Sequence, residues 1–342
     1  MALLREVHPG ELGRGGRKKA PRRRPPRAVV FGPSESVQDS VPFKGVSAAL
    51  AEGERFFFAN IQAPTREELE ILRKEFGFHP LAIEDVMTRH QRPKIDVYAD
   101  HYFLVLYRIG PGDGQDVQLQ EIDFFIGHNF LVVTHDSEIP LLEEIFERFR
   151  RAAPKKSASR LLYEILDAIV DEYFPFLDTI AERSGEIEDA IFHEFQAEEL
   201  EKVLDLKRDL ALLRRVVGPE RDTINVLLRR DPPCIDPGDV FYFQDVYDHL
   251  VRVTDSIDTY RELLTGSMDA FLSIQNNRLS EVVKRLTVIS VIFLPLTFLT
   301  GFFGMNFERT SGTGDLGFAL ALGLMVVVPL GMFLYLRRKA IQ

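Results

Sequence analysis

A chain of 342 residues with 52 acidic and 42 basic side chains carries a formal charge of −10, which argues against a nucleic-acid partner and suits cations. Its single cysteine, Cys234, excludes an internal disulfide and argues against a cysteine-based metal centre, as expected in a reducing compartment. The mean hydropathy of −0.06 reads as soluble only because a large polar portion dilutes two apolar stretches near the C-terminus.

No apolar segment lies near Met1, so no cleavable signal peptide is expected. Residues 14–27, RGGRKKAPRRRPPR, are too rich in Gly, Pro and base to pack a core. They predict a disordered arm over residues 1–28, solvated or touching anionic lipid rather than nucleic acid. From Ala28 to Asp136 strand and helix signals mix. Tyr102–Ile109, Val117–Ile126 and Phe130–Thr134 read as strands, the first two separated by the turn Gly110-Pro111-Gly112-Asp113-Gly114. Thr65 and Glu68 form a capping box for a helix over Arg66–Phe76, and His79-Pro80 opens another that carries Glu84 and Asp85. An α/β unit with a small mixed sheet is expected.

From Pro140 the pattern turns helical. Leu161–Phe192 and Ala197–Val217 read as long amphipathic helices, with Pro219 and the Asp231–Gly238 turn breaking the run. From Val240 no strong breaker occurs before Pro295, which predicts one helix to about Phe303, ~95 Å long at ~1.5 Å per residue. Such a length needs partners along it, hence an oligomeric bundle. No charge interrupts Leu286–Phe307 or Leu316–Leu336, and each stretch is long enough to cross a bilayer. The short link between them predicts an antiparallel membrane hairpin. Lys284 and Arg285 precede the first span, and Arg337, Arg338 and Lys339 follow the second. The positive-inside rule then places both termini in the cytoplasm and the loop outside.

Alternating steps of three and four along the long helix visit Asp245, Asp248, Arg252, Asp255, Thr259, Glu262, Gly266, Asp269, Ser273, Asn276, Ser280, Val283, Thr287, Ser290, Leu294, Thr297 and Gly301. A coiled-coil seam at this spacing should be apolar. Here it is polar, small or acidic almost throughout, which fits a water-filled cation pathway along a symmetric axis. Small residues also mark tight helix packing in membranes, and the carboxylates upstream tip the balance toward a pathway.

The first span ends in Phe303-Gly304-Met305-Asn306-Phe307. A ring of Asn306 amides at a pore mouth would offer neutral carbonyl oxygens to a hydrated Mg²⁺, which gives up its water reluctantly. With Phe293-Leu294-Pro295-Leu296-Thr297-Phe298, Gly301, Phe78-His79-Pro80-Leu81, Glu84-Asp85, His90-Gln91-Arg92-Pro93-Lys94 and Asp245-Val246-Tyr247-Asp248-His249, the chain from about residue 29 resembles the CorA family of divalent-cation transporters. Gly-Met-Asn is that family's signature.

The resemblance implies an α+β membrane protein assembled as a funnel-shaped homopentamer. Its parts would be a basic tail (1–28), a cytoplasmic α/β/α domain with a long helical hairpin (29–239), a stalk helix (240–285) and a pore-lining span (286–304). A periplasmic loop (305–315), a second span (316–336) and a basic C-terminus (337–342) would complete it in the cell inner membrane. Gly304, Met305 and Asn306 would form the selectivity ring, Leu294 and Thr297 would line the pore and Val283 would belong to its constriction. Asp85 of one subunit and Asp245 of its neighbour would bind a regulatory Mg²⁺ that closes the pore. The expected cargo is Mg²⁺, with Co²⁺ and Ni²⁺, and the expected partners are further copies of the chain and membrane lipid. Ser280 stands where a second pore Asn is expected. The outer loop, with Glu308 and Asp315 to attract cations but Arg309 against them, is shorter than in relatives.

No G-x-x-x-x-G-K-[ST], H-E-x-x-H or G-x-S-x-G run occurs, so neither a pump driven by ATP nor a hydrolase is indicated, and no organic cofactor is expected. The histidines read as core or surface residues. The alternatives are a Zn²⁺ transporter of the same superfamily and a membrane-anchored metal sensor that conducts nothing.

Overall fold

The computed structural model describes residues 23–32, 36–50, 55–110, 117–152, 157–193, 197–229, 234–303 and 314–339. Two compact units divide between Leu264 and Thr265. The first is built on a seven-stranded sheet of β1 (Arg27–Phe31), β2 (Val37–Asp39), β3 (Phe56–Gln62), β4 (Lys94–Val97), β5 (Tyr102–Gly110), β6 (Gln118–Ile126) and β7 (Phe130–His135), in the order β2-β1-β3-β7-β6-β5-β4. β3 and β7 pair in parallel, Phe58 opposite Leu131, and the remaining neighbours are antiparallel.

Alternate residues of a strand face opposite sides of a sheet. Val30, Phe57, Ala59, Ile61, Phe103, Val105, Phe125 and Val132 form one core with α1 (Val46–Leu50), α2 (Arg66–Phe76) and α3 (Pro80–Thr88). On the other face Phe31, Phe56 and Phe58 meet Phe146 and Phe149 of α4 (Pro140–Ala152), with α5 (Ala158–Asp171) beside it over β3, β5 and β7. The result is an α/β/α sandwich with a larger sheet than the three strands read from sequence. The capping box of α2 is present, Thr65 accepting from the Glu68 amide and Glu68 from that of Thr65.

Three sequence expectations change. The basic arm ends before residue 28: Arg27 opens β1, and Arg23, Arg24 and Arg27 pair with Glu68, Glu138, Glu143 and Glu147. Carboxylates from α2, α4 and the β7–α4 link neutralise charges that in isolation would keep the segment solvated. Residues 1–22 lie outside the described residues.

The helix expected over Leu161–Phe192 is two. α5 stops at Asp171 and α6 (Tyr173–His193) follows, because Pro175 has no N–H for the Asp171 carbonyl and the Glu172 side chain is drawn to Arg108. Pro219, conversely, does not break the run, and α7 extends over Ala197–Arg229. Leu213, Val216 and Val217 are buried before it and Ile224 and Leu227 after it, so packing on both sides outweighs one lost hydrogen bond. α8 is a single helix over Val240–Phe303, and α9 covers Gly314–Lys339.

Candidate metal centre and membrane helix

Asp167 and Asp171 are one helical turn apart on α5, as are Asp245 and His249 on α8. Aromatic packing sets the two helices together. The Tyr163 ring lies 4.9 Å from that of Tyr242 and 6.3 Å from that of Phe243, and Phe174 meets the His249 ring edge-on at 5.8 Å. One oxygen each of Asp167 and Asp171 and a ring nitrogen of His249 come within 4.8 Å of one another. His249 Nδ1 is 4.0 Å from Asp171 and Nε2 is 3.7 Å from Asp245.

This geometry leaves charge uncompensated. Burial, then the Asp171 carboxylate beside it, pushes the Asp167 carboxyl above the usual range, while His249 pulls the other way. His249 Nδ1 is buried and has no hydrogen-bond partner among the described residues. Two carboxylates and an unpaired imidazole nitrogen fit a divalent cation, the oxygens serving Mg²⁺ and the nitrogen favouring Co²⁺ or Zn²⁺. Sequence reading missed Asp167, Asp171 and His249 as a group, although paired i, i+4 ligand spacings on two helices were there to find. The other described buried histidines behave as core: His101 and His135 are both pulled down to about 4 by burial.

Asp85 lies elsewhere, in the last turn of α3, whose N-terminus is capped by His79 Nδ1 accepting from the Leu81 amide. Its Oδ2 accepts from Lys94 Nζ at 2.7 Å. Within one chain Asp85 and Asp245 thus have different partners, Lys94 for the first and His249 for the second.

In the first unit α8 buries Phe243, Val246, Leu250, Val253, Ile257 and Leu264. The acidic stripe members Asp245, Asp248, Asp255 and Glu262 are exposed, so there the stripe is the outer face of an amphipathic helix. In the second unit Asp269, Asn276, Ser280, Val283, Thr287, Ser290, Leu294, Thr297 and Gly301 are all exposed. So are Leu286, Ile289, Phe293, Phe298 and Phe302 around the rest of the helix. The apolar window of α8 is long enough to cross a membrane and none of it is buried. A helix that bares this much apolar surface needs lipid or other chains to cover it. On α9 the stretch Leu322–Tyr335 is apolar, with Val326, Val327, Leu330 and Leu334 exposed.

Thr287 and Thr297 donate their hydroxyl protons to the carbonyls of Val283 and Phe293, each 4 residues back, at 2.8 and 2.9 Å. What these hydroxyls still offer is lone pairs, which can accept from water around a cation. Gly304, Met305, Asn306 and Glu308 lie outside the described residues, and Asp315 is placed only by its backbone in the first turn of α9.

The family model described as "CorA-like Mg2+ transporter protein" matches residues 53–338, which spans both units. The chain belongs to the CorA-like family. The cobalt/magnesium transport protein CorA of Thermotoga maritima is 33% identical over 269 residues, covering 77% of each chain. That of Methanocaldococcus jannaschii is 28% identical, covering 84% of this chain and 92% of the relative. The complete structure of the CorA magnesium transporter from M. jannaschii aligns with a TM-score of 0.77 at 24% identity, over 92% of this chain and 97% of that one. CorA-like proteins are membrane-embedded metal-ion transporters rather than enzymes, and α8 carries an apolar stretch long enough to cross a membrane.

Proposed function

We propose that the chain is the subunit of an oligomeric channel, a pentamer by family resemblance, that admits Mg²⁺, with Co²⁺ and Ni²⁺, down its electrochemical gradient. The observation that carries this reading is α8, one 64-residue helix joining a carboxylate-bearing α/β/α body to an exposed apolar span with a polar stripe. A divalent ion gains about 4.6 kcal/mol per 100 mV of inside-negative potential, so no other driving force is needed. Two membrane helices per chain, α8 and α9, would lie with both termini in the cytoplasm.

Copies of α8 around an axis would present Asp269, Asn276, Ser280, Thr287, Ser290 and Thr297 to hydrated ions, with Val283, Leu294 and Gly301 at the narrower levels. A ring of Asn306, shaped by Gly304 and Met305, would recognise the hydrated ion at the outer mouth. Glu308 and Asp315 would raise its local concentration. On the cytoplasmic side, metal bridging Asp85 of one subunit and Asp245 of the next, together with Asp167, Asp171 and His249, would hold the pore closed. Filling those sites closes the channel only if the closed state binds metal better than the open one. The imidazole of His249 also supports a second reading, Zn²⁺ as the cargo or regulator.

The test is Mg²⁺ entry into proteoliposomes under an inside-negative potential, comparing wild type with Asn306→Ala. Entry that the substitution abolishes is expected. Absence of entry by an intact oligomer, at low Mg²⁺ on the side of the α/β/α domain, would overturn the channel reading.

A further inference from the structure

Lys94, the first residue of the edge strand β4, places Nζ 2.7 Å from Asp85 Oδ2 and 2.6 Å from Asp96 Oδ2. Nζ also lies 5.8 Å from the centre of the Phe103 ring. The carboxylate expected to bind metal is therefore already matched by a cation belonging to its own chain.

The backbone that carries this cation is held in place. The link from α3 to β4 turns through Arg89 and His90, both non-glycine residues with positive φ of 55° and 60°. Such a backbone persists only when its surroundings enforce it. Arg89 pairs with the buried Asp123 and, at 3.1 Å, with Asp136. The His90 amide donates to Glu121 at 2.5 Å, and the Tyr107 hydroxyl donates to the Gln91 carbonyl at 2.5 Å. Pro93 then fixes the backbone just before Lys94. The loop fixes the Lys94 backbone beside Asp85, so only the lysine side chain loses freedom in the pairing.

We propose that Lys94 is a tethered competitor for the metal at Asp85 and sets the divalent-cation concentration at which that site fills. A metal ion reaching Asp85 must displace the ammonium, and Asp96 is positioned to keep it. Lys94 thus weakens the site by competition and by repulsion of the incoming charge. A high filling threshold is what a sensor of a cation abundant in the cytoplasm requires. The proposal rests on reading Asp85 as a regulatory ligand.

The experiment uses the full-length oligomer and three variants, Lys94→Met, Lys94→Arg and Asp85→Asn. Mg²⁺ binding is followed by calorimetry and by protection from trypsin, alongside Mg²⁺ inhibition of flux. Lys94→Met keeps the stem and removes the charge, and its Mg²⁺ midpoint is expected to fall about tenfold. Lys94→Arg keeps the charge and should stay near wild type. An unchanged or raised midpoint in Lys94→Met, with protection lost in Asp85→Asn, would overturn the competitor role and leave Asp85 as a ligand. An unchanged midpoint in Asp85→Asn would overturn the Asp85 reading, and the role of Lys94 with it.

Discussion

Tyr173 Oη stands 2.9 Å from two acceptors at once, the Tyr107 carbonyl oxygen and Glu220 Oε2, although a phenol has one proton to give. Glu220 Oε1 meanwhile accepts from the Tyr107 amide at 2.7 Å. All three contacts are hydrogen bonds only if Glu220 carries a proton and donates it to Tyr173, leaving the phenol free to donate to the carbonyl. Burial independently pushes the Glu220 carboxyl up to about 8, against the bond from the Tyr107 amide. The carboxyl is thus neutral at pH 7 and ties α7 to β5 and α6. Because its folded pKa is raised, the stability it contributes is full below about 4.5 and is lost as pH rises through about 8. Glu220→Gln can make the same bonds and should preserve stability at pH 7 while flattening this part of the profile. Glu220→Ala should cost about 2–4 kcal/mol. Thermal unfolding of the three proteins in detergent between pH 5 and 9 checks this. A Glu220→Gln profile as steep as wild type would reject the neutral carboxyl.

Arg89 and Asp123 make a second buried link, under the loop that carries Lys94. Asp123 is fully buried on β6 and also accepts from the Thr134 hydroxyl at 3.0 Å. Burial raises its carboxyl and the Arg89 guanidinium opposes that rise. Removing the cation strands a charge inside the sheet. Arg89→Met should therefore destabilise by about 3–5 kcal/mol. A loss under 1 kcal/mol in chemical denaturation would show the pair to be dispensable.

Sequence pattern made the helices with explicit start signals legible. The capping residue Thr65, the His79-Pro80 opening and the unbroken run from Val240 to Phe303 each correspond to an element found there. Less legible were β1 and β3, where Ala-Val-Val-Phe and Phe-Phe-Phe-Ala-Asn-Ile are buried on both faces and carry no alternation. The two prolines misled in opposite directions, because tertiary contacts outside the helix decide each case. At Pro175 the preceding turn is held away from the helix, Glu172 by Arg108 and Tyr173 by the Tyr107 carbonyl and Glu220. Pro219 is instead clamped within its helix by Glu220 and buried neighbours. The metal cluster stayed hidden because Asp167 and His249 are 82 positions apart in the numbering, and tertiary packing, that of Tyr163 and Phe174 against α8 included, joins them.

At that cluster, replacing the imidazole should discriminate among metals. His249→Ala leaves the carboxylates of Asp167 and Asp171, which suffice for a hard cation, and removes the one nitrogen donor. Inhibition and binding by Co²⁺ should weaken by about tenfold while those of Mg²⁺ change about twofold or less. Asp171→Asn, by contrast, should weaken both. Equal losses for the two metals in His249→Ala would show the histidine to be a packing residue against Phe174.

Thr297 tests whether the stripe of α8 serves ions or helix packing. Its hydroxyl proton is spent on the Phe293 carbonyl, so only its lone pairs are available to anything outside the helix. Thr297→Val keeps the volume and branching and removes those lone pairs. If the hydroxyl only filled a contact with a neighbouring helix, the substitution would leave flux unchanged, because valine packs equally well. If it accepts from the hydration water of a passing cation, Mg²⁺ flux should fall by about three- to tenfold with the oligomer intact, the loss expected for one neutral hydrogen bond. Thr300→Val is the internal control. Thr300 bonds the Leu296 and Thr297 carbonyls in the same way but lies off the stripe, so its flux should stay at the wild-type level.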